Sequence, residues 1–571
     1  MVAESKNTES RVHGTGQGSV DRRSFLGMGA LAAAGALAAG CSQSEQSAAP
    51  AATAAAKPGP APYVDGETVE TTFGKIKGSR RGNIHAFRGV PYGAPTGGDT
   101  RFLPASAPAP WTDVRDCTNI GPRAPQTQAR IIHEWGVLYR LEAASEECLV
   151  LNVWSKGLAD NAKRPVMVWL HGGGFSGGSS GGYVYDGTNL ADRHDVVFVG
   201  VNHRLNVFGF LYLPEIGGEK YAQASNVGML DIVLALQWVR DNIEKFGGDP
   251  NNVTIFGQSG GGSKVSTLLG MPAAKGLFHR AIAQSGSQVR SQTPDQATAT
   301  ARAVLKAVNL QPNQLDRLQQ LPFYQLRDAL TDAPGVGQFS PVMDGRTIPA
   351  HIFDPVATAI SEDVPLMIGS TDTEITWNTF QNYDNLDEAA LRHYVRGALR
   401  SDDATADRII ALYRGTRPNA SNLDLFLQIG TDASNFRRGT GLQAERKAAL
   451  GKAPVFKYHF NFYSPVREGA LRSMHCMDIP FAMANVDIAA PVLGTSPDLK
   501  KLEDQMSAAW TTFARTGNPS HPGMPEWKPF TVEGRDTMVL NIESRLVADY
   551  KGEELRAVNA ILDQARPARG A

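Results

Sequence analysis

The segment VTIFGQSGGGSK, residues 253–264, constrains the fold more than any other stretch of the chain. A short apolar run ends in a cluster of glycines around Ser259, and apolar residues return at helical spacing from Val265. The pattern predicts a buried strand, a sharp turn and a helix. Such a unit can bind a phosphate through backbone N–H groups, or it can present a serine nucleophile.

The spacing of the glycines argues against phosphate binding. A P-loop places Gly, four residues and then Gly-Lys-Ser/Thr. Gly257 and Gly262 have this separation, but Ser263 follows and Lys264 comes one place late. The net charge of −1 leaves no basic excess to neutralise phosphates, so a nucleic-acid partner is not expected.

The same residues fit a nucleophile. Residues 257–261 match G-x-S-x-G, in which glycines two places before and after the serine remove side chains that would collide at a strained bend. The backbone N–H of Gly260, at the start of the following helix, is placed to bind an oxyanion. Ser259 is therefore the predicted nucleophile.

A second glycine motif supports this interpretation. The apolar run at residues 164–170 predicts a buried strand, and HGGGF, residues 171–175, follows it directly. Glycines in this position let main-chain N–H groups approach a substrate carbonyl, as in the oxyanion loop of serine hydrolases.

A serine nucleophile also needs a base and an acid, which follow the serine in the order acid and then histidine. His475 lies in a predicted loop after a strand, whereas His393 lies in a helical pattern, His459 within a strand and His521 in a proline-rich segment. Asp372 and Glu374 both follow the short apolar run at residues 365–369, and the residues alone leave the choice between them open.

Strand and helix patterns alternate along the chain. Apolar runs at residues 164–170, 196–201 and 253–256 are separated by helical spacing at residues 228–246. This alternation predicts an α/β fold with a central, mostly parallel sheet flanked by helices. Two helical regions, about 295–333 and 387–449, are expected as insertions over the edge of the sheet that carries the active site.

From about residue 67 to 555 the chain resembles a bacterial type-B carboxylesterase of the para-nitrobenzyl esterase and cholinesterase-like family. The resemblance implies an α/β-hydrolase fold and a serine hydrolase of neutral, small to medium carboxylic esters, with no cofactor and no metal. The matching stretches are AFRGVPYG, SEECLVLNVW, VWLHGGGFSGGSS, VNHRLNVFGFL, NVGMLDIVLALQWVRDNIEKFGGDP, FGQSGGG, FSPVMDG and HCMDIPF.

The resemblance also implies roles for particular residues. Ser259 corresponds to the family's nucleophile and His475 to its base, and Glu374 rather than Asp372 corresponds to its acid. The implied oxyanion donors are Gly173, Gly174 and Gly260, and the implied structural ion pairs are Arg101 with Glu146 and Arg204 with Asp231.

The chain departs from better-known members of this family. Gln258 stands where cholinesterases carry glutamate, which favours neutral over quaternary-ammonium substrates. Cys117 lies seven residues from the position of the family's partner for Cys148, so a disulfide between Cys117 and Cys148 is a hypothesis. The loop at residues 130–144 carries Trp135 and Tyr139, for which ordinary packing is favoured over an aromatic wall of the active site.

Other activities use the same scaffold. An amidase, a carbamate hydrolase or a lipase has the same triad geometry, so the residues do not separate these from an esterase. A non-catalytic adhesion protein of the neuroligin type is disfavoured because this chain keeps all of the triad residues.

The N-terminus predicts export rather than folded structure. Arg22 and Arg23 precede an Ala/Gly/Leu-rich run at residues 27–40, in the manner of a twin-arginine signal, and Cys41 then fits a lipobox in which Leu37 sits one place early. Residues 1–41 are expected to be this signal, with acylation of Cys41 and a membrane tether. Ordinary cleavage downstream and an uncleaved anchor are the alternatives.

The remaining boundaries follow from composition. Residues 42–66 form a low-complexity Ser/Ala/Pro segment that reads as a tether. Residues 67–556 are expected to form the hydrolase domain, and residues 557–571 a tail. The predicted location is periplasmic or extracellular, with a small-molecule ester as the substrate.

Overall fold

A computed structural model describes residues 61–127, 132–331, 333–378 and 386–565. The predicted signal, Cys41 and most of the predicted tether lie outside the described residues, as does the end of the tail. The described strand nearest the N-terminus begins at Val64, within the predicted tether, and the last helix ends at Gln564, within the predicted tail. The folded unit therefore extends beyond residues 67–556 at both ends.

The strands belong to one large mixed sheet. They are β1 (Val64–Thr71), β2 (Gly74–Arg81), β3 (Ile84–Pro91), β4 (Arg115–Asp116), β5 (Val150–Ser155), β6 (Arg164–Leu170), β7 (Val197–Val201), β8 (Gly248–Gln258), β9 (Arg280–Gln284), β10 (Leu366–Thr371), β11 (Val455–Phe460), β12 (Thr537–Leu540) and β13 (Arg545–Val547).

The order across the sheet is β1-β2-β3-β5-β7-β6-β8-β9-β10-β11-β12-β13, and β4 pairs with β2. The strands from β7 to β12 in this order run parallel, whereas β1, β2, β3 and β5 form an antiparallel extension on one side and β13 pairs antiparallel on the other. The predicted parallel sheet is thus the centre of a larger mixed one.

Helices cover both faces of the sheet. They are α1 (His133–Gly136), α2 (Thr188–His194), α3 (Asn206–Phe210), α4 (Pro214–Gly217), α5 (Val227–Asn242), α6 (Gly260–Leu268), α7 (Pro294–Ala307), α8 (Leu315–Gln320), α9 (Phe323–Ala329), α10 (Glu388–Leu399), α11 (Asp403–Thr416), α12 (Asn422–Ala433), α13 (Thr440–Ala448), α14 (Ile479–Ala482), α15 (Ala490–Leu493), α16 (Asp498–Thr516) and α17 (Gly552–Gln564).

Burial on both faces explains why the central strands read as continuous apolar runs. In β6, Val166, Val168 and Leu170 join the core cluster that includes α5 and α6. Met167 and Trp169 point the other way and join the cluster that includes α2 and α16. Successive side chains of a strand alternate between faces, so each face receives its own apolar row.

The two predicted helical regions are present as insertions. Helices α7 to α9 lie between β9 and β10, and α10 to α13 lie between β10 and β11. The second insertion reaches the loop after β10, because the backbone N–H of Ile375 donates to Thr431 Oγ1 on α12. No helix in the described part of the chain is long and apolar enough to cross a membrane.

Two buried ion pairs connect distant segments. Arg101 donates to both carboxylate oxygens of Glu146, at 2.7 and 2.6 Å, and Arg204 donates to both oxygens of Asp231, at 2.8 and 2.6 Å. Arg204 is 1% exposed and Asp231 is fully buried. The charges of Arg204 and Asp231 satisfy each other away from solvent, whereas Glu146 is partly exposed.

The hypothesis of a disulfide is wrong for this structure, because Cys117 and Cys148 are free buried thiols. The backbone of Cys117 is fixed between β2 and β3, since its N–H donates to Lys77 and its carbonyl accepts from Arg88. Burial raises the pKa of the Cys117 thiol to about 12. That suppresses the thiolate through which disulfides form.

Candidate active site

Ser259 occupies the turn between β8 and α6. Its φ of 58° and ψ of −125° lie outside the regions that residues other than glycine usually adopt, a conformation that costs on the order of 1–3 kcal/mol. The neighbouring glycines are required because the backbone of Leu170 lies close to them. A Cβ on Gly257 would lie 2.5 Å from the carbonyl oxygen of Leu170, and one on Gly261 would overlap that same oxygen.

The HGGG segment leaves β6 and turns beside this elbow. Gly173 and Gly174 have φ values of 89° and 60°, which favour glycine. The Gly172 carbonyl accepts from His171 Nδ1 at 2.8 Å, and the Gly173 carbonyl accepts from the N–H of Gly177 at 3.0 Å. In a trans peptide the N–H points opposite to its carbonyl, so the N–H groups of Gly173 and Gly174 point away from these anchors.

The turn after β6 and the start of α6 bring three backbone donors into the same region. Within the described ranges, the N–H groups of Gly173 and Gly174 have no protein acceptor. Gly260 is the first residue of α6, where an N–H has no intrahelical partner. Its Cα lies so close to Gly174 that a Cβ would overlap the backbone of Gly174. The arrangement can bind a negatively charged oxygen.

Glu374 and His475 are in direct contact. Glu374 Oε2 accepts from His475 Nδ1 at 2.5 Å, while its Oε1 accepts from the N–H of Thr371 at 2.7 Å. Glu374 is 1% exposed and His475 is 6% exposed. In the neutral imidazole the carboxylate therefore fixes the proton on Nδ1 and leaves Nε2 as an acceptor.

The loops that carry these two residues are joined by their own hydrogen bonds. The N–H of Thr373 donates to the carbonyl of Ser473 at 3.1 Å, and the N–H of Ser473 donates to Thr373 Oγ1 at 3.1 Å. Because Thr373 precedes Glu374 and Ser473 lies two residues before His475, this pair sets the distance between acid and base.

The surroundings of His475 tune its charge. Burial opposes protonation of the ring, but the neighbouring Cys476 and Glu374 outweigh it and raise the pKa of His475 well above its usual range. We attribute the rise to Glu374, because burial raises the pKa of Cys476 and keeps that thiol neutral. An imidazolium formed during a reaction is stabilised here.

The other neighbours of His475 are Gln258, which the sequence placed beside Ser259, and Phe436, which no sequence pattern marked. Gln258 Nε2 lies 3.4 Å from both ring nitrogens, and Gln258 Oε1 accepts from Cys476 Sγ at 3.1 Å. The ring of Phe436, which comes from the insertion after α12, lies 4.4 Å from the imidazole centroid. No local motif marks Phe436, since only tertiary packing brings it to the site.

Asp372 faces a different partner. Its carboxylate accepts from His459 Nε2 at 2.8 Å, from Tyr463 at 2.6 Å and from Gln428 at 2.7 Å. Burial, together with the charge of Arg437, lowers the pKa of His459 to about 3. A cavity of about 450 Å³ opens beside Asp372, and its lining includes none of Ser259, Glu374 and His475.

Lys264 is also part of this region, although its position excluded it as a P-loop lysine. It is fully buried on α6, and its Nζ donates to the carbonyls of His171 at 2.8 Å and Gly174 at 2.9 Å. Burial lowers the pKa of Lys264 to about 7. The sequence feature that could have indicated this role is a single lysine among the small and apolar residues of α6.

Trp135 and Tyr139 pack within the fold. Trp135 Nε1 donates to the Tyr139 hydroxyl at 2.9 Å, and Tyr139 also lies edge-on to Tyr185. This is the ordinary packing that the sequence favoured. Among the residues that the structure describes, no group of three or more His, Cys, Asp or Glu side chains is placed to hold a metal.

Residues 65–558 match the model of the carboxylesterase family. The chain belongs to the carboxylesterase family. It is 33% identical over 501 residues to the para-nitrobenzyl esterase of Bacillus subtilis, covering 86% of this chain and 97% of that one. It is 34% identical over 503 residues to the phenmedipham hydrolase of Pseudarthrobacter oxydans, covering 84% and 96%.

Solved structures agree with this assignment. A carboxylesterase of Geobacillus stearothermophilus superimposes with a TM-score of 0.75 at 35% identity, covering 86% of this chain and 99% of that one. The expected α/β-hydrolase fold is confirmed, and this carboxylesterase family member is a serine hydrolase of carboxylic esters.

Proposed function

We propose that the protein cleaves esters through an acyl-enzyme on Ser259. Ser259 Oγ attacks the ester carbonyl while His475 Nε2 takes its proton, and Glu374 keeps the imidazole in the required tautomer. The N–H groups of Gly173, Gly174 and Gly260 bind the oxyanion. The alcohol leaves with the proton from His475, and a water activated by the same imidazole then releases the acid.

One observation carries this proposal. The only acceptor position that Glu374 leaves on the His475 ring is Nε2, because the bond of 2.5 Å occupies Nδ1. The strained turn at Ser259 and the close approach of Gly260 to Gly174 support the other two elements of acyl transfer, an exposed nucleophile and a set of oxyanion donors.

The test uses purified protein and Ser259→Ala side by side. Wild type should hydrolyse a short-chain p-nitrophenyl ester and be inactivated by phenylmethylsulfonyl fluoride, with the adduct on Ser259 in peptide mass spectra. Equal rates for wild type and Ser259→Ala would reject the nucleophile, as would an adduct on another residue.

We propose further that the substrates are neutral esters. Gln258 is fully buried against His475 and carries no charge, so it offers a cationic substrate no compensating carboxylate. Acetylthiocholine and S-(3,3-dimethylbutyl) thioacetate have nearly the same shape and differ in charge. The neutral thioester should have the higher kcat/KM, and a preference for acetylthiocholine would contradict the proposal.

Export and anchoring complete the proposal. The Arg22-Arg23 pair would direct the folded protein through a twin-arginine route, and acylation of Cys41 would tether it to a membrane through residues 42–66. Labelling with an alkynyl fatty acid should mark wild type and spare Cys41→Ala. Labelling of both proteins, or of neither, would remove lipidation from the proposal.

A further inference from the structure

Lys264 carries a buried amino group without a counterion. Its side chain is fully buried, and within the described ranges the hydrogen-bond partners of its Nζ are two backbone carbonyls, with no carboxylate among them. A buried ammonium is costly unless something specific compensates it. The compensation comes from its hydrogen bonds.

Both of those bonds go to the oxyanion loop. The His171 carbonyl belongs to the peptide before Gly172, and the Gly174 carbonyl belongs to the peptide after Gly174. The two peptides that carry the N–H groups of Gly173 and Gly174 lie between these points. One side chain thus fastens the loop on both sides of its donors.

Lys264 also ties the loop to the element that carries the third donor. It lies on α6, whose first residue is Gly260, and the ring of Phe175 lies 5.7 Å from its Nζ. The helix is rigid over this one turn, so a bond from Lys264 to the loop fixes the loop relative to Gly260.

We propose that Lys264 is a positioning residue of the ester hydrolysis: it holds the oxyanion loop against α6 so that all three N–H donors converge on one oxygen. The inference rests on the proposed function of these donors. The lowered pKa does not weaken the clamp, because the ammonium has three N–H bonds and the neutral amine still has two.

Lys447 provides a matched control. It is also buried, on α13, and its Nζ donates to two backbone carbonyls, those of Ser361 and Glu362. Replacing it removes the same kind of contact at a place that does not touch the oxyanion loop. Lys264→Met and Lys447→Met therefore each remove the donor to two backbone carbonyls, but only Lys264→Met does so at the oxyanion loop.

The experiment compares kcat, KM and inhibition by an alkyl trifluoromethyl ketone, whose hemiketal oxyanion occupies the hole. A displacement of about 1 Å in a reacting geometry costs about 10²-fold in rate. Lys264→Met should lower kcat by about that factor, raise Ki for the ketone by a similar factor and leave KM within about threefold. Lys447→Met should leave all three values near wild type.

The outcomes separate the proposals. If Lys264→Met keeps kcat within about threefold of wild type, or if Lys447→Met loses as much, the positioning role is rejected. Should Lys264→Met fail to fold by circular dichroism, Lys264→Gln replaces it. This variant keeps two N–H donors and should fall between wild type and complete loss. Wild type as inactive as Ser259→Ala would reject the proposed function itself.

Discussion

The substitution Glu374→Gln tests how the acid controls the imidazole. The N–H of Thr371 can only donate, and it donates to Glu374 Oε1 at 2.7 Å. In the variant, this bond selects the amide oxygen for that position and turns the amide NH₂ toward His475 Nδ1. Nδ1 must then accept, so the ring proton moves to Nε2, where it blocks transfer from Ser259.

The expected loss is large because the wrong tautomer and the missing negative charge act together. A comparable carboxylate-to-amide change in a serine protease lowers kcat by about 10⁴. That factor corresponds to about 5 kcal/mol in the barrier. Stopped-flow or plate-based hydrolysis of a short-chain p-nitrophenyl ester across pH measures it, with the folded fraction checked by thermal unfolding.

Asp372→Asn is the matched control. It removes a buried carboxylate two residues away, but that carboxylate contacts His459 and not His475. Its kcat should stay within about tenfold of wild type. The assignment of the acid would be refuted if Asp372→Asn lost as much activity as Glu374→Gln, or if Glu374→Gln retained nearly full kcat.

Three other perturbations are informative. Burial, reinforced by the charge of Glu374, raises the pKa of Asp478 from 3.8 to about 6. As pH rises, the unfolded chain loses this proton before the folded protein does, so Asp478 lowers the free energy of unfolding as pH rises from about 4 to about 6. Relative to wild type, the free energy of unfolding of Asp478→Asn should increase by up to about 3 kcal/mol between about pH 4 and about pH 8, measured by urea titration. Arg204→Met leaves the Asp231 charge unpaired and should lower the free energy of unfolding by about 3–5 kcal/mol in the same assay. Gly173→Ala places a Cβ against the Gly177 carbonyl at a φ of 89° and should lower kcat by about 10²–10³ with little change in KM.

Each of these has a contradicting result. An Asp478→Asn gain that does not vary with pH would remove that carboxyl from the pH dependence. A loss below about 1 kcal/mol for Arg204→Met would mean that Asp231 finds another partner. Unchanged kcat in Gly173→Ala would show that the donor at this position is dispensable.

Local features were predictable because they depend on neighbours in the chain. The strand before Ser259, the sharp turn and the helix after it follow from a short apolar run, a set of glycines and helical spacing. Glycine is needed at Gly257 and Gly261 because Leu170 lies against both. The parallel centre of the sheet follows from the alternation of strands and helices, whereas that alternation does not predict the antiparallel extension.

Pairings across long separations were harder to obtain. The residues alone left open whether Asp372 or Glu374 is the acid, since both follow the same strand. The resemblance to a family was needed to favour Glu374. The spacing of Cys117 and Cys148 allowed a disulfide that the fold does not form. Cysteines separated in sequence need matching backbone geometry to be bridged, and a sequence does not contain that geometry.

The sequence by itself determined the family and the glycine-rich turns at Ser259 and after β6, because these depend on short stretches of neighbouring residues. Only the tertiary structure decided which side chains meet there. Thr373 and Ser473 join the acid and base loops across 100 positions, and Lys264 reaches back 90 positions to Gly174. Such contacts depend on how the sheet places its strand ends side by side, which no local pattern specifies.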